Sequence, residues 1–196
     1  MRASCNSPGK WKIPYVKHSN SYFLKSPRLG FGRWSAEDLP LAVALWGNSD
    51  VTRFFGGPFS QEKIKEKLAR EIALMAACNV QYWPIYLLAG GAHVGCAGLQ
   101  PYKLDEKIYE LGVHLLPAYW GQGFAVEAGK AVIAFAFESL GARSLFAGHH
   151  PENHASRSVL KKLGFEYTGE VFYPPTGLME PAYLLTPPGE RLANNR

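Results

Sequence analysis

Apolar residues recur along this chain with two different periods, and the points where the period changes mark out its elements. From Ile108 to Leu116 the apolar positions are strand-like, and Pro117 stops the run. From Ala125 onward the spacing is helical: Ala125, Ala128, Val132 and Phe135 fall on one face. Between the two lies a loop of small and aromatic residues, Trp120, Gly121, Gln122, Gly123 and Phe124. The pattern predicts a strand that passes through a glycine loop into a helix running to about Leu140, with Gly141 as its stop.

The rest of the chain parses in the same way. Tyr22–Trp34 reads as a first strand, which Pro27 demotes to an edge or bulged one. Ser35 is a helix N-cap, with Glu37 and Asp38 in the first turn, and that helix is expected to run to Trp46 before Gly47. Residues 51–58 read as a loop carrying the adjacent aromatics Phe54 and Phe55. Ser60 caps a second helix with Ile64, Leu68, Ile72 and Met75 on one face. Strands are expected at Tyr82–Ala89 and Val94–Tyr102 around a Gly90-Gly91 turn, and at Ser144–His149. Asn153 caps a helix that ends at Leu163 before Gly164, and Phe165–Phe172 and Ala182–Leu185 complete the strands. Short turns make the three central strands an antiparallel meander, whereas the strand–helix–strand unit at 108–149 requires a right-handed parallel crossover. The predicted class is therefore α/β of the mixed, α+β kind: a mostly antiparallel twisted sheet, helices on both faces, and a central strand–loop–helix unit.

Composition narrows this picture. An apolar fraction of 47% with 19% charged residues is that of a globular domain, and no apolar run reaches membrane-spanning length. The formal charge is +5, of which Arg2, Lys10, Lys12 and Lys17 supply four, leaving +1 for the rest. Residues 1–20 thus read as a basic, disordered arm without a signal-peptide core, residues 21–186 as the domain, and 187–196 as a tail. Nucleic acid is an expected partner only through that arm. Three scattered cysteines without a CxxC pair argue against a disulfide framework or a zinc site and point to the cytoplasm. The cluster His149, His150 and His154 matches no metal-ligand spacing, so no metal is expected.

The glycine loop is where the chemistry concentrates. The first N–H groups of a helix have no internal partner and carry positive potential, and glycine lets an oxyanion approach them. A Rossmann fingerprint fails because Val126 stands where a third glycine belongs. A Walker A loop fails because Gly123 and Gly129 are one residue too far apart and Ala131 replaces the Ser or Thr. A second block, from Asn153 through Ser156 and Leu160 to Leu163, Gly164 and Phe165, changes the balance. Together the two blocks resemble the GNAT superfamily of N-acetyltransferases, over about residues 22–186. Trp120 in place of the family's usual Gln or Arg, followed by Glu127 and Ala128, resembles the branch that acetylates ribosomal-protein N-termini. Residues 50–57, Arg28-Leu29 and Asp38-Leu39 also resemble that branch.

The resemblance implies a GNAT fold and acetyl-CoA as co-substrate. Trp120, Gly121, Gln122, Gly123, Phe124 and Ala125 would hold the coenzyme diphosphate through backbone N–H groups. Val113, His114 and Leu115 would flank the pantetheine where their strand splays from Ser144–His149, and Asn153 and Ser156 would contact it from the later helix. Glu110 is the first candidate base; alternation places Glu110, Gly112 and His114 on one strand face, so His114 is the second. The family's tyrosine acid, seven residues after the asparagine, is Leu160 here; Ser156 is the substitute candidate, and Tyr173 a distant one. Phe54 and Phe55 are the candidate acceptor contacts. The expected acceptor is an amine, best a protein or peptide α-amine, since its pKa near ~8 makes deprotonation at neutral pH cheaper than for lysine near ~10.4. Small-molecule amines and a non-catalytic coenzyme-binding module are the alternatives, in a monomer or homodimer.

Overall fold

The computed structural model describes residues 22–187, so the expected basic arm and nearly all of the tail lie outside the described residues. The predicted first strand is instead a small hairpin, β1 (Leu24–Lys25) and β2 (Leu29–Phe31). Pro27 has no N–H to give a ladder, and it sits in the turn between the two. The helix expected from Ser35 begins with a short 3-10 turn, and α1 runs over Leu39–Trp46 with Pro40 in its first turn. A one-turn helix not expected from the pattern, α2 (Ser49–Thr52), is capped by Asn48, whose side chain accepts from the N–H groups of Asp50 and Val51. Then come α3 (Gln61–Cys78), β3 (Tyr82–Leu87), β4 (His93–Lys103), β5 (Ile108–Leu115), α4 (Phe124–Glu138), β6 (Ser144–Gly148), α5 (His154–Leu163), β7 (Glu166–Tyr173) and β8 (Leu178–Leu185). The last strand starts four residues earlier than the pattern predicts. Pro181 lies within it and its carbonyl accepts the N–H of His149.

These strands form one sheet in the order β1-β2-β3-β4-β5-β6-β8-β7. The meander β3-β4-β5 is antiparallel, and β5 and β6 are parallel across the α4 crossover. This is the mixed α/β class read from the pattern. Each sheet face has its own core. On one side α4 and α5 deliver Phe124, Ala128, Val132, Leu160 and Leu163 onto Leu99, Leu111 and Leu145. On the other, α1 and α3 deliver Leu45, Trp46, Ile64 and Leu68 onto Tyr82, Tyr86 and Cys96. Burial of these side chains supplies the main driving force for the fold.

Candidate active site

The parallel pair β5–β6 is where the sheet opens. Its register runs only from Ile108–Ser144 to Glu110–Phe146, although β5 continues to Leu115 and β6 to Gly148. The other edge of β5 stays paired with β4 throughout. Beyond Glu110 the two strands therefore part. Leu116 donates its N–H to Val94 on the β4 side at 3.0 Å, whereas the Leu115 carbonyl receives the Trp120 indole N–H at 2.8 Å. Backbone direction alternates along a strand, so the polar groups of Val113 and Leu115 face the gap and those of His114 face β4. This corrects one expectation: of the three residues read as flanking the pantetheine, His114 turns its backbone away.

The glycine loop stands at the end of the same gap. Gly121 and Gly123 have φ of 73° and 80°, a region that side-chain-bearing residues rarely adopt, and the space beside Gly121 is open. Gly123 is the N-cap of α4, and among the described residues no side chain caps that end. The helix thus presents its first N–H groups outward. Trp120 braces the loop to β5, and Gln122 braces it internally by donating to the Ala118 carbonyl at 2.9 Å. Phe124, read as part of the loop, instead turns into the core and Ala125 packs against it. An uncapped helix start with open glycine backbone, next to unladdered strand amides, fits a diphosphate followed by an extended polar chain.

Sequence reasoning missed what holds this loop from the other side. Arg28, in the β1–β2 turn, pairs with Glu127 on the first turn of α4 at 2.6 Å and donates to the Gln122 carbonyl at 3.1 and 3.2 Å. Its guanidinium also lies 4.2 Å from the centre of the Phe124 ring. Ser26 and the Arg28 N–H complete the carboxylate's partners at 2.7 and 2.8 Å. Partial burial pushes the Glu127 carboxyl up, but these hydrogen bonds and the Arg28 charge outweigh it and hold the group below its ordinary value. Arg28 and Glu127 each stood in a segment that resembles the family branch, but nothing along the chain paired them across 99 residues.

On the α1/α3 side of the sheet, β5 presents Glu110, Gly112 and His114. A Cβ at Gly112 would land on the Tyr82 ring, so glycine there lets Tyr82 lie across the strand. Tyr82 gives Glu110 a hydrogen bond. Burial is the largest influence on Glu110 and pushes its carboxyl up, with Glu180 adding to the effect and Tyr82, Lys67 and Arg70 opposing it. His114 lies in an aromatic box: Phe55 stacks on it at 4.5 Å, Tyr82 meets it edge-on at 5.5 Å, and Trp46 donates to its Nδ1 at 3.3 Å. Burial, assisted by Lys67, pushes its pKa down to about 3. With Nδ1 accepting and the ring held neutral, His114 is poorly suited to take up a proton.

The two phenylalanines diverge. Phe55 belongs to the core beneath α1, whereas Phe54 reaches across to His150 at the end of β6, ring centres 5.0 Å apart. Phe54, His150, Arg53 and Glu152 line a cavity of about 430 Å³ beside the parting strands. Tyr173, at the end of β7, is half-buried; burial raises its pKa, and the carboxylates of Glu110 and Glu180 raise it further. The Asn153 side chain accepts the Ser156 N–H at 3.1 Å, the N-cap role. Leu160 is buried between α5 and the sheet. His149 is buried too, hydrogen-bonded to the His150 carbonyl and the Tyr183 hydroxyl. No group of three metal-ligating side chains gathers among the described residues, nor is any helix there long and apolar enough to cross a membrane.

Parallel strands that part beside a glycine-loop helix, with a half-buried carboxylate at the fork, make the architecture of an acyl-transferring enzyme. The chain belongs to the GNAT acetyltransferases: the family described as acetyltransferase (GNAT) domain matches residues 28–166. It is 27% identical over 150 residues to the uncharacterised N-acetyltransferase YoaA of Bacillus subtilis, covering 74% of this chain and 84% of that protein. It is 34% identical over 140 residues to the FsC-acetyl coenzyme A-N(2)-transacetylase of Aspergillus fumigatus, covering 64% and 58%. In fold it is similar to RimL, the ribosomal L7/L12 alpha-N-protein acetyltransferase in complex with coenzyme A, with a TM-score of 0.70 at 18% identity, over 82% of this chain and 95% of that one. The protein is an N-acetyltransferase.

Proposed function

We propose that this enzyme acetylates a protein or peptide α-amine by direct attack within a ternary complex, with Glu110 as general base. The observation that carries the reading is the position of Glu110. It occupies the last paired register of β5 and β6, where the gap begins, and burial raises its proton affinity. A base tuned upward from the ordinary carboxylate range is better matched to an ammonium group at neutral pH. An α-ammonium with a pKa near ~8 needs ~1.4 kcal/mol to lose its proton at pH 7, against almost 5 for lysine. The fold shared with an alpha-N-protein acetyltransferase supports the same choice.

Acetyl-CoA supplies the activated acetyl group when bound. The amides at Gly121–Ala125 and the gap-facing polar groups of Val113 and Leu115 are the proposed holding groups. Asn153, whose carbonyl oxygen is spent on the cap, keeps its amide N–H groups for the pantetheine arm. Glu110 accepts the proton that the acceptor ammonium sheds. Leu160 cannot supply a proton to the departing thiolate, so Ser156 is the proposed hydrogen-bond donor on that side. Tyr82 holds Glu110, and Phe54 with His150 forms the acceptor wall. His114 supports Phe55 and Tyr82 and is not assigned as base.

The test is an acceptor panel with purified protein and acetyl-CoA, read by mass shift. Peptides with free α-amines should be acetylated, and the same peptides blocked at the N-terminus but carrying lysine should not. Turnover confined to blocked lysine peptides or polyamines would overturn the assignment. A Gly123→Trp variant should lose coenzyme binding, because the indole would cover the first N–H groups of α4; the φ of 80° costs it some stability, but a Cβ there meets only the end of Arg28 at 3.7 Å, so the fold should persist. The likeness to the FsC transacetylase favours a second reading, a small-molecule amine as acceptor, which the same panel separates.

A further inference from the structure

The groups around Glu110 are not only acidic. Gln100 is its direct cross-strand partner on β4, and Arg70 reaches from α3 to donate to the Gln100 side-chain oxygen at 3.3 Å. Directly opposed residues on neighbouring strands put their side chains about 5 Å apart on the same face. The guanidinium therefore stands next to the candidate base, on its solvent side: Arg70 is exposed, and its charge acts on Glu110 and on Tyr173 across the site. Lys67, one turn earlier on α3, is paired with Glu71 at 3.6 Å, and its charge also acts on Glu110 and His114. The carboxylates nearby are already engaged. Glu71 accepts from the Tyr82 N–H and the Gln100 amide, both at 2.7 Å, and Glu180 accepts from the Thr176 hydroxyl at 2.9 Å. Among the described residues, the only side-chain hydrogen bond of Arg70 is the one to Gln100.

Building on the acetyltransfer reading, we infer that Arg70 binds an anionic group carried close to the attacking amine. The acceptor class is an amine with a neighbouring carboxylate: a peptide with an acidic residue in its first positions, or a free amino acid. Such a molecule lays its ammonium on Glu110 and its carboxylate on Arg70, in an arrangement complementary to the order of charges in the site. A polyamine or aminoglycoside brings a second cation to Arg70 and is repelled there.

The experiment compares acetylation of peptides that differ only in having Glu, Gln or Lys at the second position, beside free amino acids and their carboxamides. The Glu peptide or the free amino acid should be preferred about tenfold in kcat/KM over its neutral counterpart, the Lys peptide should be poorest, and the preference should shrink with salt. The two arms distinguish a peptide from an amino-acid acceptor. Arg70→Glu should invert the order through KM, Arg70→Lys should keep most of it, and Lys65→Glu on the exposed face of α3 should leave it intact. Turnover that ignores acceptor charge, or an Arg70→Glu variant that slows every acceptor equally, overturns this inference alone. The absence of turnover with any amine overturns the acetyltransfer reading beneath it.

Discussion

Glu110 and His114 sit four residues apart on one strand face, and burial drives their proton affinities in opposite senses. In the proposed role of Glu110 as general base, the carboxylate is the working form. Activity should fall as pH drops through its raised pKa, so the acid limb of kcat lies above the ordinary glutamate value near ~4.3. Glu110→Gln should remove that limb and lower kcat by about 10²- to 10³-fold, measured by thiol release, with coenzyme affinity retained. For His114 the folded state refuses the proton that the unfolded chain accepts. Stability from this residue is complete above 6.5 and is lost as pH falls towards about 3. Between pH 7.5 and 5 its contribution should drop by ~2 kcal/mol. Denaturant unfolding at the two pH values checks this, and His114→Phe should lose that part of the pH dependence.

At the scale of elements, α3 is tied to the sheet through one buried carboxylate. Burial pushes the Glu71 carboxyl up, and Lys67 and the Tyr82 N–H pull it back. Both of its oxygens accept hydrogen bonds, from Tyr82 and Gln100, while Gln81 donates to its backbone carbonyl. Glu71→Gln would place an amide N–H against one of these donors. It should cost ~3 kcal/mol in stability and lower kcat as well, because Tyr82 and Gln100 flank Glu110; thermal melts and kinetics check both. This knot was not legible in the sequence. On a helical wheel Glu71 falls a heptad after Ile64, on the apolar face, but the groups that satisfy it come from β3 and β4 and no pattern along the chain names them. The elements themselves were largely legible. Residues 108–116, the glycine loop and Asn153 announced their roles by period and capping, and their joins fall within a few residues of expectation. The misreadings were local: Pro27 splits a strand into a hairpin, Asn48 starts a one-turn helix inside a presumed loop, and Pro181 is tolerated where its missing N–H needs no partner.

Over the whole molecule, the parts of the site that escaped sequence reading are those that long-range packing assembles. The candidate base and the candidate coenzyme loop lie within fifteen residues of one another, so one segment could announce both. Arg28 and Arg70 come from remote segments; Arg70 belongs to no motif, and the Arg28-Leu29 resemblance gave no hint of the partner that Arg28 meets. The chain meets itself at β5: one edge belongs to the meander, the other to the parallel crossover, and the two sheet cores lie on its opposite faces.

The parting of β5 from β6 has a mechanical corollary. A sheet with missing rungs at its centre is weakest there, and whatever extended molecule lies in that slot acts as a splint between its two halves. Coenzyme A should therefore raise the melting temperature and slow amide hydrogen exchange at Val113 and Leu115, while leaving His114, already laddered to its other neighbour, unchanged. Equal slowing at all three positions would mean that the splint does not lie along this strand.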